Sequence, residues 1–308
     1  MPTRLHRRLA ILNKIETTYG TNSTPGAVNA IVGTNVSFTP LEAEEIGRDL
    51  HLPHMGHQGV ILTGQYAKIE FDVEIAGAGA AGTVPKYGSL LRACGMAEVV
   101  TAGTSVVYSI IEDAAESSTL LFISDKVQHV LLGCRGTFSM SFEPKQIPKF
   151  RFSMTGLLGT ILDAVMPAVS MTGWSTPVAV SKDATTMTLH GWSSIASKLS
   201  VELGNTGTPR FLIGAESMLI TDRQSVGEAV VDALSLAEMN WFTRAQGRTR
   251  GALSLVHGVA AGNRVEISAP AVEIGKPSQG QSDGVVTYTL PLALCPTTGR
   301  DELTITVR

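Results

Sequence analysis

The feature that most constrains the fold of this chain is a strict two-residue alternation in the segment Lys68–Ile75. Its apolar positions are Ile69, Phe71, Val73 and Ile75, and its polar positions are Lys68, Glu70, Asp72 and Glu74. Successive side chains of a β-strand point to opposite faces of the sheet, so this pattern predicts a strand with one buried face. The other face is expected to be hydrated and acidic, with a charge of −2 from its four residues.

A glycine-rich loop, Gly77–Gly82, follows this strand and matches the G-x-G-x-x-G pattern of dinucleotide-binding loops. A short helix is expected next, with Thr83 as its N-cap, Pro85 in its first turn and Gly95 just beyond its end. Three features oppose a nucleotide site: the strand has an acidic face, the helix is short, and no acidic residue ends a second strand at the required spacing. A mobile glycine loop is favoured, and nucleotide or ligand binding is kept as the alternative.

The composition is that of a globular protein without a basic surface. The chain has 308 residues, of which 44% are hydrophobic and 17% charged, and its formal net charge is −3. These values provide a large core and argue against binding nucleic acid through net charge. Cys94, Cys134 and Cys295 have no C-x-x-C spacing, which predicts free thiols in a reducing cytoplasm. No run reaches the eighteen apolar residues of a membrane helix, so no membrane association is expected.

Residues 1–60 show few regular patterns and are predicted to form an N-terminal arm and a long loop that belong to a first domain. The charged and imidazole side chains of this loop, which are candidates for contacts with other subunits, are Arg48, Asp49, His51, His54 and His57. The three-residue spacing of the histidines suggests a metal site, but Pro53 and Gly56 break any helix and no further ligands are evident. We therefore expect these residues to lie in solvent or at an interface, and the segment 35–60 to become ordered only at an interface.

Residues 61–170 are predicted to form the first β domain. Strands are expected at residues 105–111, 119–123 and 127–132, followed by an antiparallel hairpin with a turn at Pro144 and Pro148. The apolar positions of this hairpin are Phe138, Met140, Phe142, Phe150, Phe152 and Met154. Residues 164–180 contain two prolines and no clear period, so they are predicted to be a connection between domains.

Residues 171–308 are predicted to form a second, similar β domain. The segment Ser197–Asn205 aligns with the first alternating strand, so that Lys198 matches Lys68 and Glu202 matches Asp72. A helical stretch is predicted at residues 223–246, and strands at 264–275, 285–294 and 302–308. The sequence thus predicts a mainly β fold with two tandem domains, each flanked by a short helical element, produced by duplication.

No catalytic motif is found in the sequence. It contains no G-x-S-x-G elbow, Walker loop or H-E-x-x-H segment. Glu70, Asp72 and Glu74 share one face, whereas an acid–base pair needs two different environments. We expect no enzyme activity, no cofactor and no metal.

Three segments carry a resemblance to a known family: YGTNSTPGA at 19–27, AGAGAAGTVPKYGSLLRACGM at 76–96, and GCRGTFSMSFEPKQIPKFRFSMTG at 133–156. Together they resemble the tail tube proteins, or major tail proteins, of long-tailed, non-contractile bacteriophages. The resemblance covers most of residues 19–160, and the second half is similar only in the order of its strands and helix. It implies tail-tube-type β-sandwich or barrel domains that assemble into rings and stack into a hollow tube through which DNA enters the host.

The resemblance also implies partners and location. Strands of neighbouring subunits form one inner barrel, loops and terminal arms join successive rings, and tape-measure and tail-terminator proteins meet the tube. Double-stranded DNA passes transiently and without sequence preference. The protein is made in the host bacterial cytoplasm and resides in the tail of the virion, and no catalytic residues transfer.

Under this resemblance the polar strand positions are expected to face the lumen, because carboxylates repel phosphate whereas a basic lining binds it. The lumen-facing candidates are Lys68, Glu70, Asp72, Glu74, Lys198 and Glu202. An ordinary hydrated outer face is the alternative for these strands. The chain is about twice as long as a single tube domain of the family, which favours a ring of three chains with pseudo-six-fold symmetry over a ring of six. A ring protein of a contractile injection device remains a further alternative.

Overall fold

The computed structural model describes residues 3–308. The protein is mainly β, with 54% of residues in strands and 5% in helices, which confirms the predicted fold class. The strands of the first half are β1 (Leu9–Ile15), β2 (Ala30–Ile31), β3 (Gly33–Gly47), β4 (Val60–Glu74), β5 (Met96–Thr101), β6 (Ser105–Ile110), β7 (Ser118–Ser124), β8 (Val127–Phe142) and β9 (Lys149–Asp163). A 3-10 turn (Ala27–Asn29) precedes β2, and the helix α1 (Gly88–Ala93) precedes β5.

The second half adds eleven strands and one helix. The strands are β10 (Thr185–Leu189), β11 (Trp192–Ser193), β12 (Ala196–Glu202), β13 (Asn205–Leu212), β14 (Ala215–Arg223), β15 (Val226–Asp232), β16 (Arg250–His257), β17 (Val265–Ile274), β18 (Ser278–Ser282), β19 (Val285–Cys295) and β20 (Thr304–Val307). The helix α2 (Trp241–Gln246) lies between β15 and β16.

Eight strands from both halves form one continuous antiparallel layer, which we call the wide sheet. Its order is β3, β4, β9, β8, β12, β15, β19 and β18. The pairing of β8 with β12 joins the two halves, because Phe142 lies opposite Leu199 and Met140 opposite Val201. The outer strands β3 and β18 each pair with only one strand in residues 3–308. The wide sheet therefore ends in two open edges.

The apolar face of the wide sheet forms the core. Phe71, Phe138, Phe150 and Phe152 are almost fully buried, and the rings of Phe138 and Phe150 meet edge to face at 5.6 Å. α1 and the strands that branch from β8 and β17 cover this face, since one buried cluster includes Leu90 of α1 together with residues of both halves. The alternation of apolar and polar residues that the sequence shows thus buries one face of the sheet.

The two halves repeat one order of elements. In the first half, a long loop between Gly47 and Val60 joins β3 to β4. α1 follows, and β8 and β9 then form a hairpin beside β4. In the second half, β12 and β15 are joined by the β13–β14 hairpin, α2 follows, and β17, β18 and β19 lie beside β15. Each helix segment packs on the matching strand, Tyr87 against Phe150 of β9 and Phe242 against Tyr288 of β19.

This repeated order corrects the expected alignment of the halves. By position in the wide sheet, β12 corresponds to β3, and β15 rather than β12 corresponds to β4. Lys198 and Lys68 therefore do not occupy equivalent positions in the two halves, and the predicted match is wrong. Both residues lie in strands of the same sheet.

Several expected element boundaries also differ from the structure. α1 begins at Gly88, later than a cap at Thr83 predicts, whereas Gly95 adopts the expected left-handed conformation (φ +81°) just beyond its end. The helix predicted at residues 223–246 is wrong over β15, and α2 is capped by the Asn240 side chain rather than by Asp222. In the N-terminal sixty residues, β1 and β3 are regular strands, and the loop 48–59 has no regular structure.

Candidate assembly surfaces

The solvent side of the wide sheet, which we call the polar face, brings all six lumen-facing candidates together. Directly paired residues of antiparallel strands point to the same side of a sheet. One cross-strand row consists of Asp72, Arg151, Ser139 and Glu202. The next row consists of Glu74, Lys149, Ser141, Ser200 and Glu228. The polar positions of β4 and those of β12 therefore belong to one surface.

Cations from β9 neutralise the acidic positions of β4. Arg151 lies between two carboxylates, with nitrogen–oxygen distances of 3.0 Å to both Glu70 and Asp72. Lys68 contacts Glu70 at 2.8 Å, and hydrogen bonds from Lys68 and Arg151 hold the pKa of the Glu70 carboxyl below its usual range. With Lys149 opposite Glu74, three cations balance three carboxylates in the paired segments 68–74 and 149–155 of these strands. The expected acidic stripe is thus part of a mixed-charge surface.

Arg151 belongs to this surface although it was not among the predicted lumen-facing residues. The signal was present, because Lys149, Arg151 and Ser153 alternate with the phenylalanines of the hairpin. Their pairing with β4 is a long-range contact that the alternation alone does not specify. In the second half the same kind of pair recurs, since the Lys198 ammonium lies 3.1 Å from the Glu228 carboxylate.

A second surface is the hairpin formed by residues 42–65, which we call the arm. β4 pairs with β9 up to Tyr66 opposite Leu157, and from there only β3 accompanies it, with Gly47 opposite Val60. The expected interface residues Arg48, Asp49, His51, His54 and His57 all lie in the loop at its tip. The Gln58 side chain closes this loop by hydrogen bonds to the Leu50 backbone at 2.7 and 2.6 Å.

The arm carries many exposed apolar side chains. They are Ile46, Leu50, Leu52, Met55, Val60, Ile61 and Leu62, each at least 38% exposed. Monomeric proteins rarely present such a contiguous set, and such sets mark interaction sites. Among residues 3–308 no group of three or more His, Cys, Asp or Glu side chains is arranged to hold a metal, so the arm histidines do not form such a group.

The β13–β14 hairpin, which we call the second arm, lies against the base of the arm. Phe211 packs beside Tyr66 with ring centroids 6.4 Å apart, and a Cβ at Gly64 would lie 2.9 Å from the Phe211 ring. Gly64 has φ +61°, a conformation that favours glycine. At the tip, Leu212 is 54% exposed and Ile213 is fully exposed. Both projections therefore leave the molecule at the same end of the wide sheet.

The glycine loop makes close backbone contacts with another loop. The Gly77 amide donates to Asn263 Oδ1 at 2.7 Å, and the Gly79 amide donates to the Gly262 carbonyl at 2.8 Å. A Cβ at Gly77 would lie 2.1 Å from the Gly262 oxygen. Close packing against the second loop thus explains why glycine occupies these positions. The Gly77 and Gly79 amides, which a bound phosphate would need as donors, already donate to protein acceptors.

Within residues 3–308, no helix is long and apolar enough to cross a membrane. α1 and α2 each contain only six residues.

Comparison with known proteins identifies the family. A family model described as phage tail tube protein matches residues 7–293, which includes both arms and nearly all of the wide sheet. No curated protein matches the chain. The mainly β, antiparallel fold agrees with this assignment. The chain belongs to the phage tail tube protein family.

Proposed function

We propose that this protein closes into rings that stack as the hollow tail tube of a long-tailed, non-contractile phage, with the polar face lining the lumen. The observation that carries the proposal is the wide sheet, which spans both halves of the chain and leaves β3 and β18 as open edges. Open edges favour pairing with another chain, and a closed ring removes them.

The junction inside one chain suggests the junction between chains. β8 pairs along its C-terminal end with β12, which occupies the position of β3 in the repeated order. In the second half, β18 corresponds to the C-terminal end of β8. One edge of β18 pairs with β19, and its opposite edge pairs with no strand in residues 3–308. Pairing β18 of one chain with β3 of the next would repeat the β8–β12 junction around the ring.

This arrangement favours three chains in each ring. We propose two tube domains per chain, residues 61–170 and 171–308, with residues 1–60 as the N-terminal arm and inter-ring loop of the first. Because the wide sheet includes strands of both domains, each chain would supply two of six pseudo-equivalent positions. A ring of six chains would instead need the second half to lie outside the wall, where its polar strand positions would have no lumen to face.

The charge of the polar face suits passage of double-stranded DNA. Within the strand segments 68–74, 135–141, 149–155, 198–202 and 228–232, its charged residues are Lys68, Arg135, Lys149, Arg151 and Lys198 together with Glu70, Asp72, Glu74, Glu202, Glu228 and Asp232, a net charge of −1. Lys68, Arg151 and Lys198 contact carboxylates on the same face. Such cations release few counterions when phosphate approaches, so the surface would not hold DNA.

The resemblance to tail tube proteins suggests the remaining partners. A tape-measure protein would occupy the lumen during assembly, and a tail-terminator protein would meet the last ring. The site of assembly would be the host cytoplasm and the final location the virion tail.

Cysteine labelling of assembled tubes tests the orientation of the polar face. Two cysteine substitutions in a Cys295→Ser background serve as matched probes. Ser200→Cys lies on the polar face, and Thr188→Cys lies at an exposed position of β10. In tubes, a small maleimide should label both, whereas a maleimide attached to a globular protein should label only Thr188→Cys. Equal labelling of Ser200→Cys by the large reagent in tubes would contradict a lumenal polar face.

A further inference from the structure

A groove lies beside the β8–β9 turn, between β8, β10 and β12, and we call it the lysine groove. Its volume is about 560 Å³, and its apolar wall includes Phe142, Val180, Met187 and Leu199. Lys182 and Lys198 also line it, and no carboxylate belongs to its lining in residues 3–308. The groove is thus apolar within. Of its two lysines, Lys198 is paired with Glu228 at 3.1 Å, so Lys182 supplies the available positive charge at the rim.

The lysine groove and the arm lie at opposite ends of the wide sheet. The β8–β9 turn follows the pair Glu74–Lys149, whereas the arm begins at the pair Tyr66–Leu157. At roughly 3.3 Å per residue, these two pairs are about 26 Å apart along β4. A contact between the arm of one copy and the groove of another is therefore head to tail, the kind of contact that produces open stacks.

The charges of the two surfaces are complementary. Glu42, Glu44 and Glu45 of the arm are exposed, and none of them forms an ion pair within residues 3–308. The arm has a net charge of −3, because Arg48 offsets only one of its four carboxylates. Near the groove, Lys182 and Lys145 are exposed and likewise have no carboxylate within ion-pair distance in the described chain. Asp183 and Glu143 are the nearby carboxylates in sequence, and neither lines the groove.

The second arm is a weaker match for this groove. Its tip carries one cation, Arg210, and one carboxylate, Glu216, which cancel. Its ring Phe211 is already packed against the base of the arm. The arm, by contrast, offers exposed Ile46 and Ile61 beside its free glutamates.

We propose that the arm of one copy docks in the lysine groove of the copy in the adjacent ring. Arm side chains such as Ile46 and Ile61 fill the apolar part of the groove, and Glu44 and Glu45 meet Lys145 and Lys182. This inference rests on the proposed ring stacking and names the two surfaces that join successive rings. Since charged groups steer association and fix its register, stacking is expected to weaken as salt rises.

A charge-reversal experiment tests the contact. The variant Lys145→Glu/Lys182→Glu changes two exposed residues, so its fold should persist, as circular dichroism can verify. Native mass spectrometry should find rings, and negative-stain microscopy should find at least tenfold fewer tubes than for the unchanged protein. Adding Glu44→Lys/Glu45→Lys in the same chain should restore tubes. Lys14→Glu, an exposed lysine on β1, is the matched control and should form tubes normally.

Two results would overturn the proposal. One is normal tube formation by the Lys145→Glu/Lys182→Glu variant. The other is loss of tubes that Glu216→Lys in the second arm restores and that Glu44→Lys/Glu45→Lys does not. Failure of the unchanged protein to form either rings or tubes would instead contradict the proposed function itself, so the two failures are distinguishable.

Discussion

Glu16 shows at the scale of one residue how this fold treats a buried charge. Its carboxylate accepts hydrogen bonds from the Ser117 and Thr119 hydroxyls and from the Gly20 and Gly133 amides, at 2.7–2.9 Å. Replacing it by alanine leaves these buried donors without a partner. Glu16→Ala should therefore lower the free energy of unfolding by about 2–4 kcal/mol, measured by urea denaturation.

Glu45→Ala is the control for this prediction, because Glu45 lies exposed on the arm. Its unfolding free energy should differ from that of the unchanged protein by no more than about 0.5 kcal/mol. Equal effects of the two substitutions would show that the Glu16 hydrogen bonds do not stabilise the fold.

Two buried histidines predict a loss of stability in mild acid. Arg244 donates to His190 Nδ1 at 3.1 Å while Nε2–H donates to the Val272 carbonyl, which holds the ring neutral. The two ring nitrogens of His257 form hydrogen bonds with the Thr185 hydroxyl and the Val178 carbonyl. Burial lowers the pKa of both rings. A neutral buried ring stabilises the fold fully at a pH above about 6.5, the pKa of histidine in the unfolded chain. This contribution is lost as the pH falls toward the lower pKa of the same ring in the folded protein.

Denaturant unfolding at about pH 7.5 and about pH 5.5 brackets that unfolded pKa and measures the effect. The free energy of unfolding should be smaller at the lower pH, and His257→Gln should reduce the difference. His51→Gln, on the exposed loop of the arm, should leave it unchanged. A pH difference that His51→Gln reduces and His257→Gln does not would contradict this assignment.

Thiol reactivity is a further prediction at the residue scale. Cys94 and Cys134 are fully buried, and burial raises the pKa of both thiols, which keeps them protonated. Cys295 is only half-buried. In the native protein one thiol should react with a chromogenic disulfide, and three should react after unfolding. Rapid reaction of two or three native thiols would contradict the buried placement.

At the scale of elements, the arm and the second arm are expected to stabilise each other. Gly64→Val places a branched side chain where φ is +61° and where the Phe211 ring leaves no room. It should cost about 1–3 kcal/mol of unfolding free energy. Gly47→Val is the matched control, because a Cβ there meets open space. The same small effect at both glycines would show that Phe211 does not pack at the arm base.

Strands with a clear alternation of apolar and polar residues could be predicted from the sequence, and strands without it could not. β4, β8 and β9 could be predicted because one face of each is buried and the other polar. β3 could not, since most of its residues are at least partly exposed on both faces. β15 lies in a stretch rich in Ala, Glu and Leu, a composition that favours helix, and its pairing with β12 and β19 overrides that local preference.

At the scale of the whole molecule, the sequence predicted a mainly β chain with two similar halves but not how they join. The β8–β12 pairing links residues about sixty positions apart, a contact that no local pattern specifies. Once it is known, the polar positions of both halves share one surface, and the sheet has two open edges. The candidate lumen residues could thus be listed from alternation, whereas their common face and their neutralising partner Arg151 required the structure.

The number of chains in one ring distinguishes the proposed three-chain assembly from a ring of six. Native mass spectrometry of isolated rings, or the symmetry of a tube reconstruction, measures it. We expect three chains per ring, each contributing the eight strands of its wide sheet, with β18 of one chain beside β3 of the next. A ring of six chains, or a three-chain ring in which β18 and β3 are not adjacent, would contradict this expectation.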